Sequence, residues 1–253
     1  VRVGQGLAYT TNPYDKETNH KNIAFGTKLM SSTYAMINYK RERIFDNFGF
    51  QAGLSLIHYS NANIKAPNTS INSLTLSAGV TYNLDDEDPE YQYDLNDDAK
   101  FTQPIKYNVV FRSGVNESDV VGSGQFPFYI VSAYADKRLN RKSAIQFGLD
   151  AFFSRFLKEL IYYESIAFPD RNINPDTDYK RLGVFVGHEL FINKLSIETQ
   201  LGYYAYYPHD FEGRVYQRIG AKRYFGDKWF VAVTLKSHAA KAEAVELGIG
   251  IRF

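Results

Sequence analysis

Cysteine is missing from all 253 residues, which removes disulfide frameworks, thiolate metal sites and cysteine nucleophiles together. No run of about 18 apolar residues occurs, so an α-helical membrane span is excluded. An excess of one charge is also lacking. The 29 Lys and Arg nearly cancel the 28 Asp and Glu, so no global basic field marks a nucleic-acid binder. No inter-domain linker interrupts the chain, and methionine occurs only twice. What is abundant is aromatic: 20 Tyr and 19 Phe within a chain that is 44% apolar, too apolar for disorder. So many rings on a polar average suit short alternating strands with aromatic rims. The chain opens Val1-Arg2-Val3 and is expected to be a processed or truncated product whose export address cannot be read.

Alternation with period two runs through nearly the whole sequence. Val245, Leu247, Ile249, Ile251 and Phe253 share one parity, and Glu246, Gly248, Gly250 and Arg252 the other. Ile145, Phe147, Leu149, Ala151 and Phe153 likewise oppose Gln146, Gly148 and Asp150, while Leu74, Leu76, Ala78 and Val80 oppose Thr75, Ser77 and Gly79. Alternate residues of a strand face opposite sides of its sheet, so each segment has one oily face. About twelve such segments of roughly 9–15 residues occur, enough to cross a bilayer as tilted strands.

Short turns at 45–47, 140–142, 193–194 and 226–228 alternate with longer polar loops at 12–21, 61–71, 114–126, 164–178, 208–213 and 237–243. That asymmetry is the outer-membrane barrel pattern. The exception is 85–103, an acidic excursion on the short-turn side, read as a solvated segment or as a calcium or partner-docking loop. Lys28, Asp150, Glu198, Arg218, Lys222 and Arg252 fall in mid-strand among glycines and serines on the polar parity. A soluble sandwich would turn that face to water and need no glycines, whereas the inside of a small closed barrel requires them. Aromatic pairs (Tyr162-Tyr163, Tyr203-Tyr204, Tyr206-Tyr207, Tyr224-Phe225) suit girdles at the lipid boundary, and a final strand ending in Phe253 resembles the terminal signal of bacterial outer-membrane proteins. The expected fold is all-β: one transmembrane antiparallel up-and-down barrel of about twelve strands spanning 1–253, in the bacterial outer membrane.

One stretch departs from this background: Ile57-His58-Tyr59-Ser60-Asn61, continuing to Pro67-Asn68 and Asn72. His58 and Ser60 take the parity of Phe50, Ala52, Leu54 and Leu56, so they face lipid if those four do. A histidine there is costly in hydrocarbon, and barrel stability does not ask for one. Asn72 has the parity of Leu74 and Leu76 and turns the same way. Serine becomes a nucleophile when a base takes its proton, and histidine suits that work near neutrality. A third polar group must fix the imidazole, and amides such as Asn61 and Asn68 can stabilise an oxyanion. The plainer reading is a rim histidine capping a turn, with Ser60 and Asn61 starting a loop.

These residues resemble the outer-membrane lipid A 3-O-deacylases, the PagL family, and their longer acyloxyacyl-hydrolase-like relatives. The resemblance rests on His58-x-Ser60-Asn61, Pro67-Asn68 and the flanking strands, about thirty residues, with weaker similarity at 4–9, 13–15 and 235–238. It implies a serine esterase that removes an ester-linked acyl chain from lipid A or lipopolysaccharide at the outer leaflet, without metal or cofactor. By position Ser60 matches the nucleophile, His58 the base, and Asn61 with Asn68 the oxyanion region. The family's catalytic glutamate falls twelve residues after the serine, and that position is Asn72 here. An amide cannot offset the imidazolium charge, so low or absent activity is expected. The family's deacylases are also eight-stranded, and surplus strands suggest a pore or a surface for other outer-membrane proteins. The alternatives to an enzyme are therefore an inactive barrel serving as a structural subunit of an outer-membrane complex, and a narrow diffusion channel.

Of the other histidines, His20 and His209 lie in loops and are expected to do nothing chemical. His188 suits a rim hydrogen bond, and His238 either packs at the rim or binds headgroup phosphate. No spacing supports zinc. Lys40, Arg41 and Arg43 read as solvated charges at the short-turn rim. Gly4-Gln5-Gly6 is no nucleotide fingerprint and reads as small lumen positions.

Overall fold

The computed structural model describes residues 1–85, 101–239 and 241–253, so most of the acidic excursion 85–103 lies outside the described residues. The chain forms two compact units, Val1–Asn61 with Asn68–Ala99, and Ala62–Pro67 with Lys100–Phe253. No helix among the described residues is long and apolar enough to cross a membrane.

The first unit is a four-stranded antiparallel sheet, β1 (Arg2–Tyr9), β2 (Leu29–Phe45), β3 (Phe48–Ser60) and β4 (Ile71–Tyr82), in sequential order. The second holds β5 (Lys106–Asn116), β6 (Phe126–Arg138), β7 (Ser143–Ser154), β8 (Arg181–Ile192), β9 (Leu195–Tyr206), β10 (Val215–Phe225), β11 (Trp229–His238) and β12 (Lys241–Arg252), each antiparallel to the next. Here β12 returns to β5, with Leu247–Arg252 against Asn108–Ser113, and reciprocal backbone bonds between Phe253 and Tyr107 seal the end of the seam. Alternation predicts a closed barrel of about twelve strands; hydrogen bonding closes eight. The physical reason is that a period of two fixes which face a side chain takes, not which strand lies beside it.

The closed barrel is a soluble protein turned inside out. Along β7, Ile145, Phe147 and Leu149 point outward at half to two-thirds exposure, while Gln146 and Asp150 are buried. The inside holds Arg112, Arg181, Arg218, Lys222, Lys236 and Arg252 together with Asp136, Asp150, Glu189, Glu198, Glu243 and Glu246. They pair with one another inside the barrel. Arg218 meets Asp150 (2.9 Å) and Glu246 (2.7 Å), Lys222 meets Glu198 (2.7 Å) and Glu189 (3.1 Å), and Glu243 meets Arg181 (2.5 Å) and Lys236 (2.6 Å). Aromatic rings fill the remaining space: Phe152 lies edge-on to Tyr204 and Tyr216 at 5.3 and 5.2 Å. Glycine makes room for them, since a Cβ on Gly202 or Gly250 would lie 2.1 or 2.2 Å from the ring of Tyr216 or Phe230. Paired charges and packed rings leave the lumen filled.

The outward aromatics form two belts: Tyr107, Phe225, Trp229 and Phe253 toward the short turns, and Tyr129, Phe153, Tyr203 and Tyr206 toward the long loops. The expected doublets divide, because neighbours on a strand face opposite ways: Tyr203 is outside and Tyr204 inside, Phe225 outside and Tyr224 inside. Tyr162 and Tyr163 belong to no strand. They sit on α1 (Arg155–Ala167), a helix after β7 that buries Phe156, Leu157 and Ile161 and sets Phe156 edge-on to Phe211 at 5.3 Å. Lys28 precedes β2 and is exposed, unlike the other five charges expected inside. His188 makes its rim bond, Nε2 lying 2.5 Å from Ser143 Oγ, and buried His238 is held by Glu243 and the Val215 carbonyl.

Two outcomes follow from this packing. Glu246 accepts from Arg218 and Thr234 and lies 3.6 Å from Arg112. Glu246→Ala strands buried guanidinium groups and should cost about 3–5 kcal/mol in urea unfolding of the detergent-folded protein, with Glu246→Gln costing less. In the β9–β10 loop, burial holds the His209 imidazole below its usual range, against the opposing pull of Glu164 at 3.4 Å. The unfolded chain then binds the proton more readily, so this loop should lose stability as pH falls through about 6.5. Hydrogen exchange should show its protection dropping between pH 8 and pH 5 in the native protein but not in His209→Gln.

Candidate functional site

The register of the first unit assembles the site. On β3, Leu54 and Leu56 stand opposite Leu76 and Leu74 of β4, and opposite Ile37 and Ala35 of β2. Directly opposed residues share a face, so these side chains form one apolar surface, and all four leucines are exposed on it. The same pairing carries on toward the loop end, where His58 stands opposite Asn72 and Thr33, and Ser60 opposite Ser31. The apolar surface thus ends in polar side chains at the end of β3. His58, Ser60 and Asn72 lie together on it, as their parity predicts.

The β3–β4 connection brings Asn68 back to Ser60. Ala62 and Asn63 take left-handed backbone angles (φ 52° and 58°), which turn the chain off the sheet immediately after Asn61. Asn68 Oδ1 accepts the Asn61 backbone N–H at 3.0 Å, and its Nδ2 donates to Ser60 Oγ at 3.0 Å. Ser60 and Asn61 are buried, while His58 is half-buried. His58 Nδ1 lies 2.8 Å from Asn72 Oδ1. An amide oxygen only accepts, so Nδ1 donates to it, and Nε2 is the acceptor nitrogen of the neutral ring. The serine and the histidine, two residues apart on one strand, are therefore engaged with different amides.

In the second unit, segment 62–67 is tied down by one carboxylate. Glu117 Oε2 accepts the Ala66 N–H (2.9 Å), its Oε1 accepts from Gly122 and Gly124 (3.1 Å each), and its own N–H donates to the Asn63 carbonyl (2.9 Å). Among the described residues, no group of three or more His, Cys, Asp or Glu is arranged to hold a metal ion.

Sequence reading missed three polar residues of this surface. Gln5 pairs with Thr33, and Thr33 with His58, so Gln5, Thr33, His58 and Asn72 form one row across four strands. Ser31 lies in the next row beside Ser60. A signal was present, since Gln5 sits on the parity of Val3, Leu7 and Tyr9, and Thr33 on that of Leu29, Ile37 and Tyr39.

Residues 1–81 match the family described as Lipid A 3-O-deacylase (PagL), and residues 105–253 match the family described as Acyloxyacyl hydrolase, C-terminal domain. No curated protein matches the chain. Among solved structures it is similar to a KdgM porin at 9% identity and a TM-score of 0.25, over 88% of this chain and 92% of that one. A Rhodopseudomonas blastica porin triple mutant is similar at 10% identity and a TM-score of 0.21, with both chains covered in full. Scores that low carry no argument about fold or function.

Proposed function

Because the chain belongs to the lipid A 3-O-deacylase (PagL) and acyloxyacyl hydrolase family, we propose that it hydrolyses an ester-linked acyl chain of lipid A in the outer leaflet of the bacterial outer membrane. The observation that carries this reading is the joint placement of His58, Ser60 and Asn72 on an exposed apolar face, with Asn68 held against the serine oxygen.

In this mechanism Ser60 Oγ attacks the ester carbonyl and His58 Nε2 takes its proton. Successive same-side residues of a strand lie about 6.6 Å apart at the backbone, so a rotation of the serine side chain toward the imidazole accompanies the attack. The Asn68 amide N–H, aimed at Ser60 Oγ, donates to the oxyanion that develops beside it. Asn61 contributes by fixing the Asn68 amide through its own N–H rather than as a free donor. His58 returns the proton to the departing sugar oxygen, leaving an acyl-serine that water hydrolyses by the same base. Asn72 holds the imidazole in the required tautomer but brings no negative charge, which makes the imidazolium intermediate less stable than a carboxylate would. No step calls for a metal or a cofactor.

That same amide favours a second reading, in which the barrel is catalytically inactive and serves as a structural subunit of a larger outer-membrane complex. One comparison separates the two. Native protein in detergent should shorten lipid A by one acyl chain in mass spectra, and Ser60→Ala should lower the rate by at least about a hundredfold. Indistinguishable acyl patterns would leave the structural reading. If the hydrolase is real, Asn72→Glu should raise its turnover by roughly ten- to a hundredfold, because a carboxylate stabilises the protonated imidazole.

A further inference from the structure

The polar row that crosses the apolar face reaches well beyond the histidine and serine. Gln5, Thr33, His58 and Asn72 stand side by side on β1 to β4 at one level of the sheet. On the short-turn side the next row is Val3, Ala35, Leu56 and Leu74, all apolar. On the loop side it is Leu7, Ser31 and Ser60. The Gln5 amide is locked in place: Oε1 accepts from Thr33 Oγ1 at 2.6 Å, and Nε2 donates to Ser31 Oγ at 2.6 Å and, more weakly, to the Gly6 carbonyl at 3.4 Å. Neither row contains a lysine, an arginine or a carboxylate.

We infer that Gln5, with Ser31 and Thr33, forms a subsite for the neutral hydroxyl-and-amide edge of an acylated sugar, and so positions its ester over Ser60. The inference rests on the hydrolase reading above and adds to it the residues that would position the substrate.

Three observations favour that ligand. An amide and two hydroxyls on a hydrocarbon-facing surface are costly, and two bonds among themselves leave lone pairs and the Ser31 hydroxyl proton still to satisfy. Their neutrality matches sugar hydroxyls and acyl amides, whereas a phosphate or a phospholipid headgroup calls for a cation. The spacing also fits. Gln5 is two strands from Ser60 and one row down, about 10 Å across the sheet and 7 Å along it. A sugar bound at the polar row can therefore hold a short ester arm near the serine while its acyl chains lie on Leu54, Leu56, Leu74 and Leu76. Gln5 acts on the reaction only through the substrate, so it is a positioning residue.

The test has two arms, each on full-length protein whose folding is checked by the heat-dependent gel shift of the barrel. First, binding is measured in the Ser60→Ala background by titration with lipid A in detergent micelles, with phosphatidylglycerol micelles as control. Gln5→Leu should weaken lipid A binding three- to tenfold and leave phosphatidylglycerol binding unchanged. Second, with Ser60 intact, Gln5→Leu should raise KM for lipid A by a similar factor, with little change in kcat or in hydrolysis of a sugar-free p-nitrophenyl acyl ester. Thr33→Val, which frees the Gln5 amide, should reproduce both effects more weakly and stands in if Gln5→Leu does not fold. Unchanged lipid A binding in folded variants overturns the subsite, as does an equal loss for both lipids. If native protein fails to cleave lipid A, the hydrolase reading falls, and the binding arm still decides whether the row recognises sugar.

Discussion

The closed unit depends on the neutralisation of charge inside a barrel whose outside is oil. Arg112, Arg218 and Lys222 are fully buried, and a lone cation so placed would cost far more than the fold has to spare. Each is met by carboxylates from other strands, Glu246 and Glu198 each serving two cations. The network spans strands far apart in sequence, so it forms only when the barrel closes in one register. The rings of Phe152, Tyr204 and Tyr216 then pack on the arginines and exclude water, which strengthens every pair they cover. Outside, Phe147, Val186 and Leu247 are exposed, an apolar surface suited to hydrocarbon. Family membership points to the bacterial outer membrane.

The four-stranded sheet obeys the same alternation with a different result. Its apolar face is continuous from Phe50 to Leu56, then gives way to polar side chains within one residue pair. In the proposed reaction this boundary puts Ser60 where an acyl ester would meet its sugar, with hydrophobic contact for the chains and hydrogen bonds for the head. Two consecutive left-handed residues, Ala62 and Asn63, are what free the chain to fold Asn68 back against Ser60.

Much of this was legible beforehand because a strand writes its two faces in alternate letters. Asp150, Glu198, Arg218, Lys222 and Arg252 were placed inside on parity alone, and the outward set of β7 and β12 was read correctly. The shared face of His58, Ser60 and Asn72 was legible for the same reason. Pairing between distant strands was not. That β12 closes on β5 depends on register across more than a hundred residues, and no local pattern carries it. Helix α1 was hidden because Tyr162-Tyr163 imitate a strand end, although Phe156, Leu157 and Ile161 recur with helical spacing. Gln5 and Thr33 escaped notice because each is a single polar residue on an oily parity, and only the β1–β2–β3 register shows that they stand in line.

The filled lumen also constrains how the molecule is made. A hairpin such as β9–β10 pairs Lys222 with Glu198 within itself but also carries Arg218, whose partners Asp150 and Glu246 lie on strands β7 and β12. Inserted alone, that hairpin would bring Arg218 to hydrocarbon depth without its carboxylates, at a cost of about 2–4 kcal/mol near the midplane. Stepwise threading of that hairpin into lipid is therefore disfavoured. A route that keeps the polar sides turned toward one another or toward water until the β12–β5 seam closes avoids that cost and couples membrane entry to lumen sealing.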